Sequence, residues 1–131
     1  MITKQVSVFI ENKEGRFLRV AELLKDNNIN IISFSIAETE EFGMLRMVVS
    51  DPDKTVAILK EGAYSAKITD VITVNLPNEE GTLFGLLKVI ADTHNNIRYM
   101  YTSLGDAGPI VLKTTNQDQV VDALKKAGYE V

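Results

Sequence analysis

Hydrophobic positions along the chain change their period within the first 26 residues. In QVSVFI, residues 5–10, apolar and polar side chains alternate with period two, which is typical of a strand with one buried face. From Gly15 onward, apolar residues recur at intervals of three and four, which predicts a helix with one apolar face. They are Phe17, Val20, Leu23 and Leu24. The pattern therefore predicts a strand that leads directly into an amphipathic helix.

The next segment predicts two strands, a second helix and a closing strand. The two strands are expected at residues 30–38 and 44–50, and the segment TEEFG between them indicates a hairpin. Asp51 then caps a helix, because its side chain can accept hydrogen bonds from unpaired backbone N–H groups. A short strand at residues 64–68 completes a β-α-β-β-α-β order.

This unit occurs twice in the chain. A shift of 66 residues places Gly15 on Gly81 and Asp26 on Asp92, and towards the end of the unit a shift of 65 places Gly43 on Gly108. The predicted second set comprises strands at 71–76, 96–104 and 110–114, helices at 81–93 and 116–127, and a final stub at 129–131. One residue is missing from the second hairpin, GDAG.

The repeated order predicts an α+β fold with two ferredoxin-like βαββαβ units in tandem. Each unit has an antiparallel sheet with its helices on one face. We expect the units to occupy residues 1–68 and 69–131, without a flexible linker between them.

Composition and charge exclude several classes of function. Lys and Arg number 14 against 18 Asp and Glu, and the basic residues are scattered, so a nucleic-acid partner is not expected. The chain has no cysteine, no apolar stretch of signal-peptide length at its start and no run long enough to span a bilayer, so we expect a cytoplasmic protein that does not bind membranes. His94, the one histidine, lacks partners for acid–base or metal chemistry in sequence. We expect no enzyme activity, metal or cofactor.

The segments ENKEGR, residues 11–16, and PNEEGT, residues 77–82, join a predicted strand to a predicted helix in each unit. Backbone N–H groups in the first turn of a helix lack partners within the helix and attract anions, and a glycine lets a ligand approach the backbone. Asparagine amides both donate and accept, which suits the ammonium and carboxylate of a free amino acid. Such asparagines also occur as simple cap or turn residues, and this alternative stays open.

The N-x-x-G loop, a helix ending in NNINI or HNNIR, the glycine-containing hairpin and the closing amphipathic helix together resemble the ACT domain. The resemblance covers nearly the whole chain twice and is similar to the small tandem ACT proteins of bacteria. It implies side-by-side association of units and an amino acid bound at the seam, near the strand-to-helix loop of one unit and the second strand of its neighbour. In serine-sensing members, a loop asparagine and an asparagine before the second strand hold the effector. The matching residues are Asn12, Asn30, Asn78 and Asn96.

Two departures from the family pattern bear on the ligand. Glu14 and Glu80 occupy the position where the family often has proline, which adds negative charge beside each loop. Ile10 and Leu76 replace the histidine of serine-sensing members, which favours an effector more apolar than serine. The predicted ligand-binding residues are Asn12, Glu14, Gly15, Asn30, Asn78, Glu80, Gly81 and Asn96.

The resemblance implies a non-catalytic amino-acid sensor that forms a homodimer. The alternative is an interaction subunit of an amino-acid biosynthetic enzyme, similar to the acetolactate synthase small subunit. The first hypothesis requires a bound amino acid, and the second requires an enzyme partner.

Overall fold

A computed structural model describes residues 2–11, 13–38, 42–104 and 109–131 of the chain, with only the backbone of Glu38. Within these residues the fold is α+β, with antiparallel strand pairs and four helices, as predicted. Asn12 and the hairpin residues 39–41 and 105–108 lie outside the described residues. The elements are β1 Ile2–Glu11, α1 Arg16–Asp26, β2 Ile31–Glu38, β3 Phe42–Val49, α2 Pro52–Glu61, β4 Ser65–Val74, α3 Thr82–Asp92, β5 Ile97–Tyr101, β6 Ile110–Thr114 and α4 Gln117–Lys126.

The structure divides into two compact units. The first comprises Lys4–Thr69, and its strands lie in the order β2-β3-β1-β4. The second comprises Asp70–Val131 together with the N-terminal residues through Thr3, and there β4 neighbours β6, which neighbours β5. In the second unit the Thr3 and Thr73 hydroxyls are hydrogen-bonded at 2.9 Å. The predicted division of the repeat at residues 1–68 and 69–131 stays a prediction.

Two predicted strands require correction. The strands expected at 64–68 and 71–76 are one strand, β4, because Thr69 and Asp70 continue the extended backbone. A polar pair does not interrupt a strand whose backbone groups are hydrogen-bonded to neighbouring strands. The stub expected at 129–131 is not a strand, and instead Tyr129 and Val131 pack against the apolar core of the second unit.

The core of the first unit lies between α1, α2 and the strands. Val20 and Leu24 of α1 and Leu59 of α2 are fully buried against the inward-facing residues of the sheet. Val20 and Leu24 were predicted from the helical period. The sheet residues of this core include Val6, Val8, Ile10, Leu45, Met47 and Val49.

The second unit repeats this packing. Leu86 and Ile90 of α3, together with Leu124 of α4, are buried against Ile72 and Leu112 of the sheet. Leu83, the equivalent of Phe17, is 47% exposed, because it lies in the first turn, beyond the part of the helix that contacts the core. Both units thus place two helices on one face of their strands.

Side chains cap the second helix of each unit, as predicted for Asp51. The Asp51 carboxylate accepts a hydrogen bond from the Lys54 backbone N–H at 3.2 Å. The Asn116 side chain accepts one from the Gln119 backbone N–H at 3.4 Å. The first helix of each unit, by contrast, begins at a glycine that has no side-chain cap.

Candidate functional site

The first glycine loop leads from β1 into α1. Gly15 has a φ of 77°, in the left-handed region that glycine adopts without steric cost. The first helical hydrogen bond is donated by the Arg19 N–H to the Gly15 carbonyl at 3.0 Å. Among the described residues, the N–H groups of Phe17 and Leu18 have no acceptor. The loop therefore presents free donors at the positive end of the helix dipole.

The second loop has the same backbone but different internal contacts. Gly81 has a φ of 81°, and the first helical bond again runs to its carbonyl, here from Gly85. The Thr82 hydroxyl lies 2.9 Å from the carbonyl oxygens of both Pro77 and Glu79 and donates to them. This hydroxyl holds the loop against the start of α3.

The predicted site residues in the second loop are exposed. Asn78, Glu80 and Gly81 all face solvent, and the Asn78 side chain makes no hydrogen bond to any described residue. Asn78 does not cap α3, because the cap position belongs to Gly81, three residues later. Asn78 is therefore not a helix cap, while the alternative of a turn residue stays open.

Asn30 and Asn96 occupy matching positions before β2 and β5. The Asn30 backbone exchanges hydrogen bonds with Ser50, through the Ser50 hydroxyl at 2.9 Å and its N–H at 3.0 Å. The Asn96 backbone makes the same pair with Thr115, each at 3.0 Å. Both asparagine side chains are exposed.

One unit does not bring its loop and its strand asparagine together. The glycine loop precedes α1 and Asn30 follows it, and 11 residues of helix rise about 16 Å. Asn30 instead borders a separate depression near the end of α1, formed with Lys25, Asn28 and Ile31. A ligand that contacts both a loop and an equivalent of Asn30 therefore needs two units.

Charge separates the two loops. The Lys13 ammonium lies 3.1 Å and the Arg16 guanidinium 3.4 Å from the same carboxylate oxygen, Oε2 of Glu11. The hydrogen bond from Lys13, its charge and that of Arg16 lower the pKa of Glu11. The repeat replaces these three residues by Pro77, Glu79 and Thr82. Our sequence reasoning missed this cluster, although the change of charge is visible when the two copies are aligned.

Open cavities surround the first loop. One has a volume of about 390 Å³ and is lined by Lys13, Glu14, Gly15, Arg16, Arg19 and Gly62. A second, of about 410 Å³, shares Arg16 and Gly62 with the first and extends towards β3 and the turn after α2. Both volumes fall in the range of about 300–1,000 Å³ that is usual for small-molecule sites. Two predicted site residues, Glu14 and Gly15, thus line a cavity.

The described part of the chain was also compared with what a metal site, a catalytic histidine or a membrane-spanning helix would need. Residues 2–11, 13–38, 42–104 and 109–131 contain no cluster of three or more His, Asp or Glu placed to hold a metal ion. His94 is exposed with a φ of 60°, and its equivalent Asn28 has a φ of 58°, so both residues form the left-handed turn that ends a helix. None of the described helices is long and apolar enough to cross a membrane.

Comparison with known proteins identifies a family and a similar solved structure. The family model of the ACT domain pair matches residues 1–129. A crystal structure of a protein from Bacteroides thetaiotaomicron is 37% identical, with a TM-score of 0.92 over 99% of this chain and 91% of that one. The curated proteins include no significant match.

Two more distant structures share the fold. The regulatory subunit of aspartate kinase from Thermus thermophilus, in a ligand-free form, is 14% identical with a TM-score of 0.65, over 98% of this chain and 95% of that one. The same subunit from Thermus flavus is also 14% identical with a TM-score of 0.65, over 97% and 95%.

Proposed function

This chain belongs to the ACT domain pair family, and we propose that it is a non-catalytic regulatory protein that binds a free amino acid. The observation that carries the proposal is the pair of uncapped helix starts. Each follows a left-handed glycine, and N–H groups in each first turn lack acceptors among the described residues. Such a start favours a carboxylate by about 0.3–1 kcal/mol from the helix dipole alone, and its hydrogen bonds add to this.

The proposed ligand-binding residues come from two units. Gly15, Glu14 and Asn12 belong to one loop, and Asn30 of a neighbouring unit supplies an exposed amide. The matching set in the repeat is Asn78, Glu80, Gly81 and Asn96. A single unit separates its loop from its strand asparagine by the length of its first helix, so a ligand that contacts both requires two associated units.

A homodimer supplies that association. Strand β2 is the outer strand of the first unit, and its Phe34 and Ile36 side chains are 38% and 46% exposed. Leu18 in the first turn of α1 is 71% exposed. When two copies pair antiparallel along β2 and α1, they bury this apolar surface and bring the glycine loop of one copy beside Asn30 of the other.

Regulation then works by population shift. A ligand that contacts both copies stabilises the paired state only by its differential affinity for that state over the separated one. The effector is more apolar than serine, because Ile10 stands where serine-sensing members have histidine and lies beside the loop cavities. The proposed location is the cytoplasm, where disulfides are rare, and this chain has no cysteine.

Isothermal titration of the full chain against the twenty amino acids tests the proposal, together with sedimentation in the presence and absence of any binder. We expect at least one amino acid to bind and to shift the chain towards the dimer. Asn30→Ala and Asn96→Ala, made separately, report which set of residues is used. Silence from all twenty amino acids would overturn the proposal.

A second candidate function is that of a subunit that controls an amino-acid biosynthetic enzyme. Leu18 and Phe84 occupy the same position in the two repeats and are each 71% exposed. A protein partner that binds here would bury this apolar surface. The likeness to regulatory subunits of aspartate kinase shows only the shared fold. Co-purification of a stoichiometric enzyme, lost on Leu18→Ser and Phe84→Ser but kept on Asn30→Ala, would favour this candidate.

A further inference from the structure

An apolar groove lies beside the first glycine loop, and we call it the aromatic groove. Its walls are Phe9 near the end of β1, Phe42 at the start of β3, and Tyr64 in the turn between α2 and β4. Its volume is about 410 Å³, and Glu11 and Arg16 lie at its rim. The groove is formed wholly within the first unit.

The walls of the groove expose aromatic surface. Phe9 and Phe42 are each 50% exposed, although they lie within a paired region of the sheet. Phe42 pairs with Glu11, two residues after Phe9, so the two rings lie diagonally on the same face of neighbouring strands. Tyr64 packs against the edge of the core. A ligand's apolar side chain in this groove would be shielded from water on several sides.

The rim carries a charge pair suited to a zwitterion. Arg16 and Glu11 lie 3.4 Å apart, a long contact between side chains that are 44% and 50% exposed. Such an exposed pair contributes little by itself and opens readily. Both cationic partners of Glu11 contact Oε2, and Oε1 accepts no hydrogen bond from a described residue. An ammonium on Glu11 and a carboxylate on Arg16 would each form a charge-assisted hydrogen bond.

A residue at the end of α2 also lines the groove. Ala63 has a φ of 66°, in the left-handed turn that ends this helix. The equivalent residue of the repeat is Gly128, with a φ of 91°. The first unit therefore presents a methyl group to the groove where the repeat has none.

The second unit keeps the tyrosine, since Tyr129 stands at the position of Tyr64, but it lacks the other groups. Asn75 stands at the position of Phe9, Pro77 at that of Glu11 and Thr82 at that of Arg16. Thr82 is also engaged in closing its own loop. The repeat therefore keeps neither the charge pair nor the phenylalanine of β1.

We propose that the aromatic groove binds one amino acid per chain, with its ammonium on Glu11, its carboxylate on Arg16, and an aromatic or large aliphatic side chain against Phe9, Phe42 and Tyr64. This inference rests on the proposed function and names the class of effector and the residues that select it. The groove joins the loop cavity through Arg16 and Gly62, so a ligand seated there also reaches the first turn of α1.

Titration calorimetry with phenylalanine, leucine, serine and glycine on the full chain tests the side-chain pocket. Phenylalanine and leucine should bind at least about tenfold tighter than glycine or serine, because only they bury apolar surface. Phe9→Ala and Phe42→Ala should each weaken phenylalanine binding about tenfold. Leu104→Ala, at an exposed apolar residue of the second unit, is the control and should change nothing. Thermal melting of each variant checks that it is folded.

Modified ligands test the charge pair. Glu11→Gln and Arg16→Gln should each weaken phenylalanine binding about five- to tenfold, whereas Arg98→Gln should not. Phenylalanine amide lacks the carboxylate, so Arg16→Gln should leave its affinity unchanged. N-acetylphenylalanine lacks the ammonium, so Glu11→Gln should leave its affinity unchanged.

Three results would overturn the inference. If an amino acid binds and only Asn30→Ala or Asn96→Ala weakens it, the groove is not the site, while the proposed function stands. If glycine or serine binds tighter than leucine and phenylalanine, the groove does not select the effector, and again the proposed function stands. If none of the twenty amino acids binds, both proposals fail.

Discussion

The glycine loops of the two units start their helices from the same left-handed glycine but differ in the side-chain contacts beside it. Gly15 and Gly81 have φ values of 77° and 81°, and each accepts the first hydrogen bond of its helix. The first loop is flanked by Glu11, Lys13 and Arg16, which form exposed ion pairs. The second is closed by the uncharged Thr82 hydroxyl.

This difference separates what the fold needs from what a ligand needs. A strand that turns directly into a helix requires the left-handed glycine in both copies. The fold does not require ion pairs or an aromatic groove beside this glycine, and among the described residues only the first unit has them. Three pairs of changes at equivalent positions test how far the two units are alike, and a fourth prediction tests the ion pairs found beside the first loop.

The largest effect is expected from the cores. Leu59 and Leu124 are equivalent and fully buried. Leu59→Ala and Leu124→Ala should each lower the free energy of unfolding by about 2–5 kcal/mol, since each removes apolar contacts and leaves a cavity. Urea denaturation followed by circular dichroism measures this. A loss below about 1 kcal/mol in either variant would show that the two cores are not equivalent.

The glycines should come next. Gly15→Ala and Gly81→Ala should each cost about 1–2 kcal/mol, because alanine is strained at positive φ. A Cβ atom at either position meets no other atom within 4 Å, so the cost is purely conformational and should be the same in both units. Unequal losses in matched denaturation curves would mean that one loop relaxes to another conformation.

The contacts that close the loops should differ between the units. Thr82→Val removes a hydroxyl that bonds to the Pro77 and Glu79 carbonyls, and should cost about 1 kcal/mol at any salt concentration. Arg16→Gln, at the equivalent position, breaks an exposed ion pair and should leave the denaturation midpoint unchanged in 0.5 M NaCl. A salt-dependent effect at Thr82, or a large salt-independent one at Arg16, would contradict this contrast.

The smallest effect concerns the titration of Glu11. Lys13 and Arg16 hold its pKa below the usual value, so their stabilising contribution is present at pH values above the usual carboxylate pKa and is lost as pH falls through the lowered one. Lys13→Gln should raise the Glu11 pKa towards its usual value, as measured by NMR of the side-chain carboxyl carbon. Lys25→Gln, whose partner is Asp26, should leave it unchanged. An unaltered Glu11 pKa after Lys13→Gln would mean that the pair does not form in solution.

Much of the fold follows from local patterns. The helical period located the buried faces of the helices, and Asp51 and Asn116 cap helices as their sequence context predicts. The two glycine loops were recognised from the repeat alone. Side chains close in sequence determine these features, so a single sequence is enough to predict them.

The candidate site was predicted less completely. Asn78 and Asn96 are exposed as a binding role requires, and Asn12 lies outside the described residues. The predicted helix between the first loop and Asn30 already separates the two. Sequence patterns did not indicate that Glu11 and Arg16 share a cavity with Tyr64, because this depends on where distant chain segments meet.

The sequence by itself determined the duplication, the order of elements, the helix starts and the positions where only glycine is unstrained, because each depends on neighbours within a few residues. Only the tertiary structure decided that β4 is one strand, that Tyr129 packs on a core instead of forming a strand, and that Phe9, Phe42 and Tyr64 line one groove. Strand pairing and cavities join residues that are far apart in the chain, and hydrophobic periodicity carries no information about which distant segments will meet.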